Sequence, residues 1–466
     1  MPTSLTTHNL YEAFLSRIGH EPTGDQSTAL HRISRFINGS EGGDLYVLKG
    51  YAGTGKTTLI GAIVKTLDSE HVKNVLMAPT GRAAKVLSSY SGKQAFTIHR
   101  RIYRTSLKDG LYSGFVRVKN KSKDTVFIVD EASMITGGGS QGLSDLLSDL
   151  IYYVKDGINC RLILVGDSAQ LPPVGELLSP ALDARSLMDN YGIRTGTYEL
   201  KDVVRQESES GILINATQIR ESIRKEEGMP ELDFDFEDFN KVEPVDVPQV
   251  LADSYSSFGP DEVVIICRSN RLSNHYNRQI RYQSLYFDEE LSAGDRLMSV
   301  RNNYHWIDQH SEAGFIANGD ILKVNSVRSY REMYGFRFAE VTVEFVDQDY
   351  DSSFEVTMIL DSLYTNSPAL TSDQSQKLYR SVNSGISDQV RSAERKKLLT
   401  SDPFLNSLQV KFAYAITCHK AQGGQWSVVF IDKGILKEGE GNDIEYMRWL
   451  YTAITRSTGL VYMIES

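Results

Sequence analysis

Gly50-Tyr51-Ala52-Gly53-Thr54-Gly55-Lys56-Thr57-Thr58 spells G-x-x-x-x-G-K-T between an apolar run at 44–49 and a stretch at 57–67. In that stretch Leu59, Ile60, Ile63, Val64 and Leu67 fall on one side, the spacing of a helix. A strand, a glycine-rich turn and a helix N-terminus aim backbone N–H groups at one point, which suits phosphate. Gly50, Gly53, Thr54, Gly55 and Thr58 form the cradle, Lys56 reaches the β- and γ-phosphates, and the Thr57 hydroxyl suits Mg²⁺. The motif implies a nucleoside triphosphate.

A second apolar run, Phe127-Ile128-Val129, ends in Asp130-Glu131. Such a pair downstream of a phosphate loop places Asp130 near Mg²⁺ and Glu131 near the attacking water as general base. A third run at 162–166 leads through Asp167 to Gln170, a polar group at a strand end and placed to sense the γ-phosphate. On its own, the Pro172-Pro173 sequence that follows also reads as a stiffened turn.

These runs need a scaffold. With 466 residues, more than one domain is expected, and the apolar and charged fractions are those of an ordinary globular chain. Up to about 190, strands at 73–78, 125–130 and 160–166 alternate with helical stretches, the pattern of a parallel sheet wound with helices. A second α/β pattern starts near Thr197, with strands at 262–267, 410–415, 428–432 and 460–464 and helices at 269–283 and 444–456. Between its parts, 297–300, 321–327, 338–345 and 354–359 alternate like antiparallel strands, followed by a polar, helical 370–399. The acidic run 226–238 reads as a solvated loop.

Residues 100–124 break the first alternation. Arg100, Arg101, Arg104, Lys108, Arg117, Lys119, Lys121 and Lys123 are interleaved there with Tyr103, Tyr112 and Phe115, and Asp109-Gly110 predicts a hairpin turn. A solvated surface hairpin and a nucleic-acid contact both fit this texture.

No apolar run approaches membrane-spanning length, so no membrane association is expected. Cys160, Cys267 and Cys418 are scattered without a C-x-x-C, which indicates neither a disulfide framework nor a zinc site and fits a reducing cytoplasm. The formal charge of −10 argues against indiscriminate coating of nucleic acid, though not against a local basic channel.

Taken in order, further segments join these motifs. They are Gln26, Ala78-Pro79-Thr80-Gly81-Arg82-Ala83-Ala84, Thr97-Ile98-His99, Val203-Val204-Arg205-Gln206, Asn318-Gly319-Asp320, Thr417-Cys418-His419-Lys420-Ala421-Gln422-Gly423 and Tyr451-Thr452-Ala453-Ile454-Thr455-Arg456. The series resembles superfamily 1 helicases of the B type, the RecD-like and Dda-like group, over almost the whole chain. The resemblance implies an α/β fold with two RecA-like P-loop motor domains. It assigns 1–99 and 125–195 to the first domain, 100–124 to a basic strand-separating pin, 196–293 and 408–466 to the second domain, and 294–407 to an SH3-like β insertion with a helical segment.

Function follows from the same resemblance: ATP hydrolysis drives 5′→3′ translocation on single-stranded DNA and unwinding of forked duplex, with repair and recombination as settings. Gln26 would read adenine, and Arg205 and Arg456 would reach the γ-phosphate from the second domain. Thr80, His99, Thr417, His419 and Lys420 would line the strand, with Tyr112 and Phe115 at the fork. Alone, His99 reads as a structural histidine. Ala421 and Gln425 depart from the Ser and Glu of many relatives; the Gln425 amide can still bond a ribose hydroxyl. Little precedes Gln26, so partner-binding roles of larger relatives are not carried over. Two rivals stay open: a translocase that does not separate strands or acts on RNA, and a non-catalytic ATP-binding assembly subunit. Protein partners are not encoded in any motif, and a monomer is compatible with the sequence.

Overall fold

Alternate residues of the apolar runs feed two cores. In β1 (Leu45–Gly50), Tyr46 and Leu48 face one hydrophobic cluster, and Leu45 and Val47 the other. That period of two is what a strand covered on both faces requires. The computed structural model describes residues 7–40, 43–108, 111–137, 145–202, 210–307, 315–346, 353–387, 390–435 and 443–465, with 105–108, 111–115 and 393 as backbone only.

Along the chain follow β2 (Lys73–Ala78), β3 (Ala95–Thr97), β4 (Tyr103–Lys108), β5 (Leu111–Arg117), β6 (Thr125–Val129), β7 (Arg161–Gly166) and β8 (Thr195–Leu200). The first sheet is parallel in the order β3-β2-β6-β7-β1-β8. Parallel strands share one C-terminal edge, so the residues after β1, β2, β6 and β7 converge there. Helices Gly24–Ile37 and Lys56–Ser69 pack on one face and helix Leu146–Lys155 on the other. The expected boundary at 195/196 moves: β8 pairs with β1 along its whole length, so the first body runs through Leu200.

The hairpin of β4 and β5 stands apart as a two-stranded ribbon, with Tyr103 opposite Arg117 and Lys108 opposite Leu111. Its expected Asp109-Gly110 turn lies outside the described residues.

The second body contains β9 (Phe239–Val242) and β10 (Val263–Cys267), then an insertion and three more strands. The insertion itself holds β11 (Arg296–Ser299), β12 (Ile321–Met333), β13 (Phe336–Phe345), β14 (Phe354–Ile359) and β15 (Leu408–Phe412), which close into a barrel. With β16 (Ala415–Thr417), β17 (Trp426–Asp432) and β18 (Ser457–Ile464), the second sheet is parallel in the order β16-β10-β17-β18-β9. Tyr334 and Gly335, both left-handed, make the two-residue turn joining β12 to β13. Helices Ser372–Ser384 and Ser392–Ser401 follow β14, and Leu378 and Val382 pack against Phe336 and Phe338 on the barrel.

The run at 410–415 was expected to be one strand of the second sheet. It divides instead. Residues 408–412 close the barrel against β11 and β14, and only 415–417 join β10. The acidic run 226–238 also differs from a solvated loop. Met229, Leu232, Phe234 and Phe236 pack on the second core, and the buried Asn215 amide brackets Asp233 with bonds of 2.7 and 2.8 Å. Glu226, Glu227, Glu231, Asp235 and Glu237 are exposed, while half-buried Asp238 accepts from Ser210 Oγ and Gly211 N.

Candidate functional site

The loop after β1 is shaped by close approach. A Cβ at Gly50 would stand 2.8 Å from Thr54 Oγ1, while Gly53 (φ 72°) and Gly55 (φ 79°) adopt left-handed backbone that other residues resist. Gly55 also precedes helix Lys56–Ser69 without any side-chain cap, which leaves that helix's first N–H groups for an anion. Lys56 Nζ donates to the carbonyls of Gly50 (2.7 Å) and Tyr51 (2.8 Å) and stands 3.9 Å from Asp167. Thr57 lines a cleft of about 580 Å³ whose far wall includes Gln425 and Trp426, and Thr58 sits half-buried beside it.

Gln26, assigned to adenine by the resemblance, lies against the phosphate loop. It is fully buried; its Oε1 accepts from Thr23 N (3.1 Å) and its Nε2 donates to Thr54 O (3.1 Å). The amide ties the N-cap of helix Gly24–Ile37 to the phosphate loop.

Asp130 and Glu131 leave the end of β6. Asp130 Oδ2 accepts from Tyr90 OH at 2.5 Å and its Oδ1 from Glu131 N at 2.8 Å. Burial, with the neighbouring Glu131 charge, pushes the Asp130 carboxyl up to about 6 despite the Tyr90 bond. Glu131 takes left-handed backbone (φ 51°), a strained setting typical of residues held for function. After β7, burial also raises the Asp167 carboxyl, which accepts from Tyr451 OH at 2.7 Å. Gln170 is 4% exposed, and its Oε1 is a buried acceptor without a donor among the described residues. Crowded carboxylates and one orphaned acceptor form a donor set that suits Mg²⁺ with its waters and phosphates. Among the described residues no group of three or more His, Cys, Asp or Glu could hold a metal unaided.

The second body closes this edge with cations. Arg456, 4% exposed, directs Nη1 to Glu131 Oε1 and to Gly424 O, each at 3.4 Å. Two more guanidiniums were not singled out from sequence. Arg448 Nη1 donates to the carbonyls of Ser168 (2.7 Å) and Gln170 (3.2 Å). Arg220 lies 4.4 Å over the Tyr51 ring. Arg448 was legible, because it precedes Thr452 by four residues and Arg456 by eight, the spacing of one helix face. Nothing local marks Arg220. Arg205 lies outside the described residues.

Of the expected strand-contacting residues, Thr80 caps helix Gly81–Ser91 and meets the second body directly. A Cβ on Gly423 would be 3.1 Å from Thr80 Oγ1 and 2.7 Å from Ala83 Cβ. Arg82 stacks 3.9 Å over Trp426 and donates to Gln425 O at 3.0 Å. Thr417 and Lys420 are half-buried and His419 is exposed in the segment that ends at Gly423. Burial lowers Lys420 to about 8, and burial with the Lys420 charge lowers Lys411, on β15, to about 7. His99 keeps to the base of the hairpin, its ring 5.5 Å from that of Tyr103, and burial lowers its pKa. Tyr112 and Phe115 lie on β5, where only the backbone is described.

Comparisons with known proteins bear on this arrangement. The family model described as an AAA domain matches residues 25–232, and that of a UvrD-like helicase C-terminal domain matches 412–464. An uncharacterised protein of Acanthamoeba polyphaga mimivirus is 26% identical over 95% of this chain and 99% of its own length. The ATP-dependent RecD2 DNA helicase of Deinococcus radiodurans is 35% identical over 130 residues, 28% of this chain and 16% of that protein. ATP-dependent DNA helicase dda of Enterobacteria phage T4 is also 35% identical over 130 residues, 27% of this chain and 28% of the relative. The solved Pif1 helicase from Bacteroides, in complex with ADP-AlF3 and ssDNA, aligns with TM-score 0.48 and 17% identity over 95% of this chain and 92% of that one. Among the described residues, no helix is long and apolar enough to cross a membrane.

Proposed function

We propose that this chain, a member of the superfamily 1 helicases of the B type and an ATP-hydrolysing enzyme, translocates 5′→3′ on single-stranded DNA and unwinds duplex ahead of it. The observation that carries the reading is Arg456 of the second body at 3.4 Å from Glu131 of the first, beside the phosphate loop. Base and guanidinium come from different bodies, so hydrolysis depends on their closure. Lys56 exchanges its two loop carbonyls for β- and γ-phosphate oxygens, and the helix at 56–69 supplies its free N–H groups. Glu131 takes the proton of the attacking water, Gln170 orients that water, and Arg456 moves from the Glu131 carboxylate onto the charge developing at the γ-phosphate. Arg205 is assigned the same task from sequence, and Gln425 the ribose. Thr57 and Asp130 would hold Mg²⁺, which neutralises charge on the phosphate oxygens.

The strand path is assigned to Thr80, His99, Thr417, His419 and Lys420, where short polar groups and half-buried lysines hold a backbone without reading bases. The β4–β5 ribbon is assigned to the fork, with Tyr112 and Phe115 against the first pair and Lys119, Lys121 and Lys123 on nearby phosphates. Opening a pair costs about 1–2 kcal/mol in stacking. Replacing 106–121 by a short Gly/Ser turn leaves strand-stimulated ATPase and sharply reduces unwinding. Loss of both activities would move the ribbon into the strand path or the fold.

The deciding experiment compares ATPase and unwinding on DNA and RNA substrates with a 5′ or a 3′ tail. Unwinding from the 5′ tail of DNA is expected. Unwinding from a 3′ tail alone overturns the direction, and movement without strand separation overturns the helicase step.

A further inference from the structure

Leu171, next to Gln170, is held at both main-chain atoms by the second body. Its N–H donates to Thr452 Oγ1 at 2.8 Å, and its carbonyl accepts from Gln422 Nε2 at 2.7 Å. Leu171, Thr452 and Gln422 are all buried, so water cannot replace either bond without opening the contact. The two partners come from different places. Thr452 belongs to the helix at 444–454 that leads to Arg456. Gln422 ends the segment that carries Thr417, His419 and Lys420, and it precedes Gly423, which packs on Thr80. The backbone beside Gln170 is therefore gripped on one side by the element bearing Arg456 and on the other by the segment assigned to the strand.

We propose that Gln422 is a positioning residue that makes hydrolysis answer to the strand: its amide fixes the Leu171 carbonyl, and through it Gln170, in the place set by the 417–423 segment. The inference rests on the assignment of that segment to the strand path. The buried Gln422 amide donates to the Leu171 main chain. Its bond is a direct, dry link from one assigned site to the other, short enough that a shift of the segment must move the Gln170 backbone. Arg448, on the helix that carries Thr452, bonds the Ser168 and Gln170 carbonyls and keeps that backbone from relaxing on its own.

The test uses the full chain with Gln422→Met, which keeps length and loses the donor, and Gln422→Glu, which sets a carboxylate against the Leu171 carbonyl. Phosphate release is measured with and without oligothymidylate, alongside the affinity of a labelled oligothymidylate and the thermal midpoint. Misplacement of a reacting group by about 1 Å costs on the order of 10²-fold, so strand-stimulated kcat should fall roughly 10- to 100-fold in both variants. KM for ATP and oligothymidylate affinity should stay within about twofold, because the lost bond lies in neither binding site. Full stimulation in both variants overturns the proposal. So does a joint fall of basal rate, strand affinity and thermal midpoint, which marks a merely structural amide. A wild-type chain without strand-stimulated turnover fails earlier and strikes the strand assignment itself.

Discussion

The two α/β bodies share a parallel-sheet plan and place opposite charge at its open edge. In the first, the ends of β6 and β7 hold Asp130, Glu131 and Asp167, and burial drives Asp130 and Asp167 upward. In the second, helices 211–225 and 444–454 and the turn that follows present Arg220, Arg448 and Arg456, while burial drives Lys411 and Lys420 downward. Buried charge of one sign is held at a cost in desolvation. Contact between the bodies, or with a ligand of the opposite sign, relieves it. The contrast explains how a site can be poor in activity when open and competent when closed without any group changing identity.

Removing the cation is the sharpest way to break this complementarity. Arg456→Ala should bind nucleotide nearly as wild type and hydrolyse it about 10³-fold more slowly or worse; normal strand-stimulated phosphate release would discard the shared site. Next in size is the root of the barrel. Arg281 grips Asp295 with two bonds of 2.8 Å, both residues buried, so Asp295→Ala should cost about 3–5 kcal/mol in urea unfolding. A loss under ~1 kcal/mol would show that this pair does not anchor the insertion.

Closure itself can be obstructed. A side chain at Gly423 meets Ala83 across the two bodies, so Gly423→Val should work against closing by about 1–3 kcal/mol, beyond the strain of a β-branched residue at φ 73°. Strand-stimulated turnover should drop accordingly while the separate bodies stay folded, as read by circular dichroism. Unimpaired turnover would mean that the bodies do not need this approach.

The smallest effect sharpens the comparison through pH. Folded-state values of about 7 and about 8 for Lys411 and Lys420 lie below those of the unfolded chain, which therefore binds more protons above pH 7. Stability from these groups rises with pH from there toward 10.5. Affinity for strand phosphates should move the other way, falling several-fold between about pH 7 and 9 as charge is lost. Asp130 runs opposite: held up to about 6, it makes the fold less stable as pH rises from the ordinary carboxylate range to that value. A flat oligonucleotide affinity over pH 7–9 would remove Lys420 from the strand path.

Local pattern made much of this visible. β2 and β14 have the bounds that alternation predicted, and Arg456 stands beside Glu131 at the end of β6. What local pattern lacks is the partner of each strand. β8, Thr-Gly-Thr-Tyr-Glu-Leu, carries no mark of which sheet it joins, and an apolar 410–415 reads alike in a barrel and a sheet. Gln26 shows the same limit at a single residue, since its type allows a base contact and its packing makes it a bracket. The apolar residues scattered through 229–236 were outweighed by the acids around them.

One consequence of the barrel's mounting is mechanical. β15 ends at Phe412 and β16 begins at Ala415, with two residues between them, so the exit from the insertion has almost no slack. Its entry is pinned to the exit, because Tyr414 OH donates to Asp295 and accepts from Arg296 N, and Asn277 clamps both the N–H and the carbonyl of Ala415. A domain hung on flexible tethers would lag behind its host. This one turns with the second sheet as a rigid lever, so a small rotation at the Arg456 edge becomes a larger sweep at the far tip of the β12–β13 hairpin.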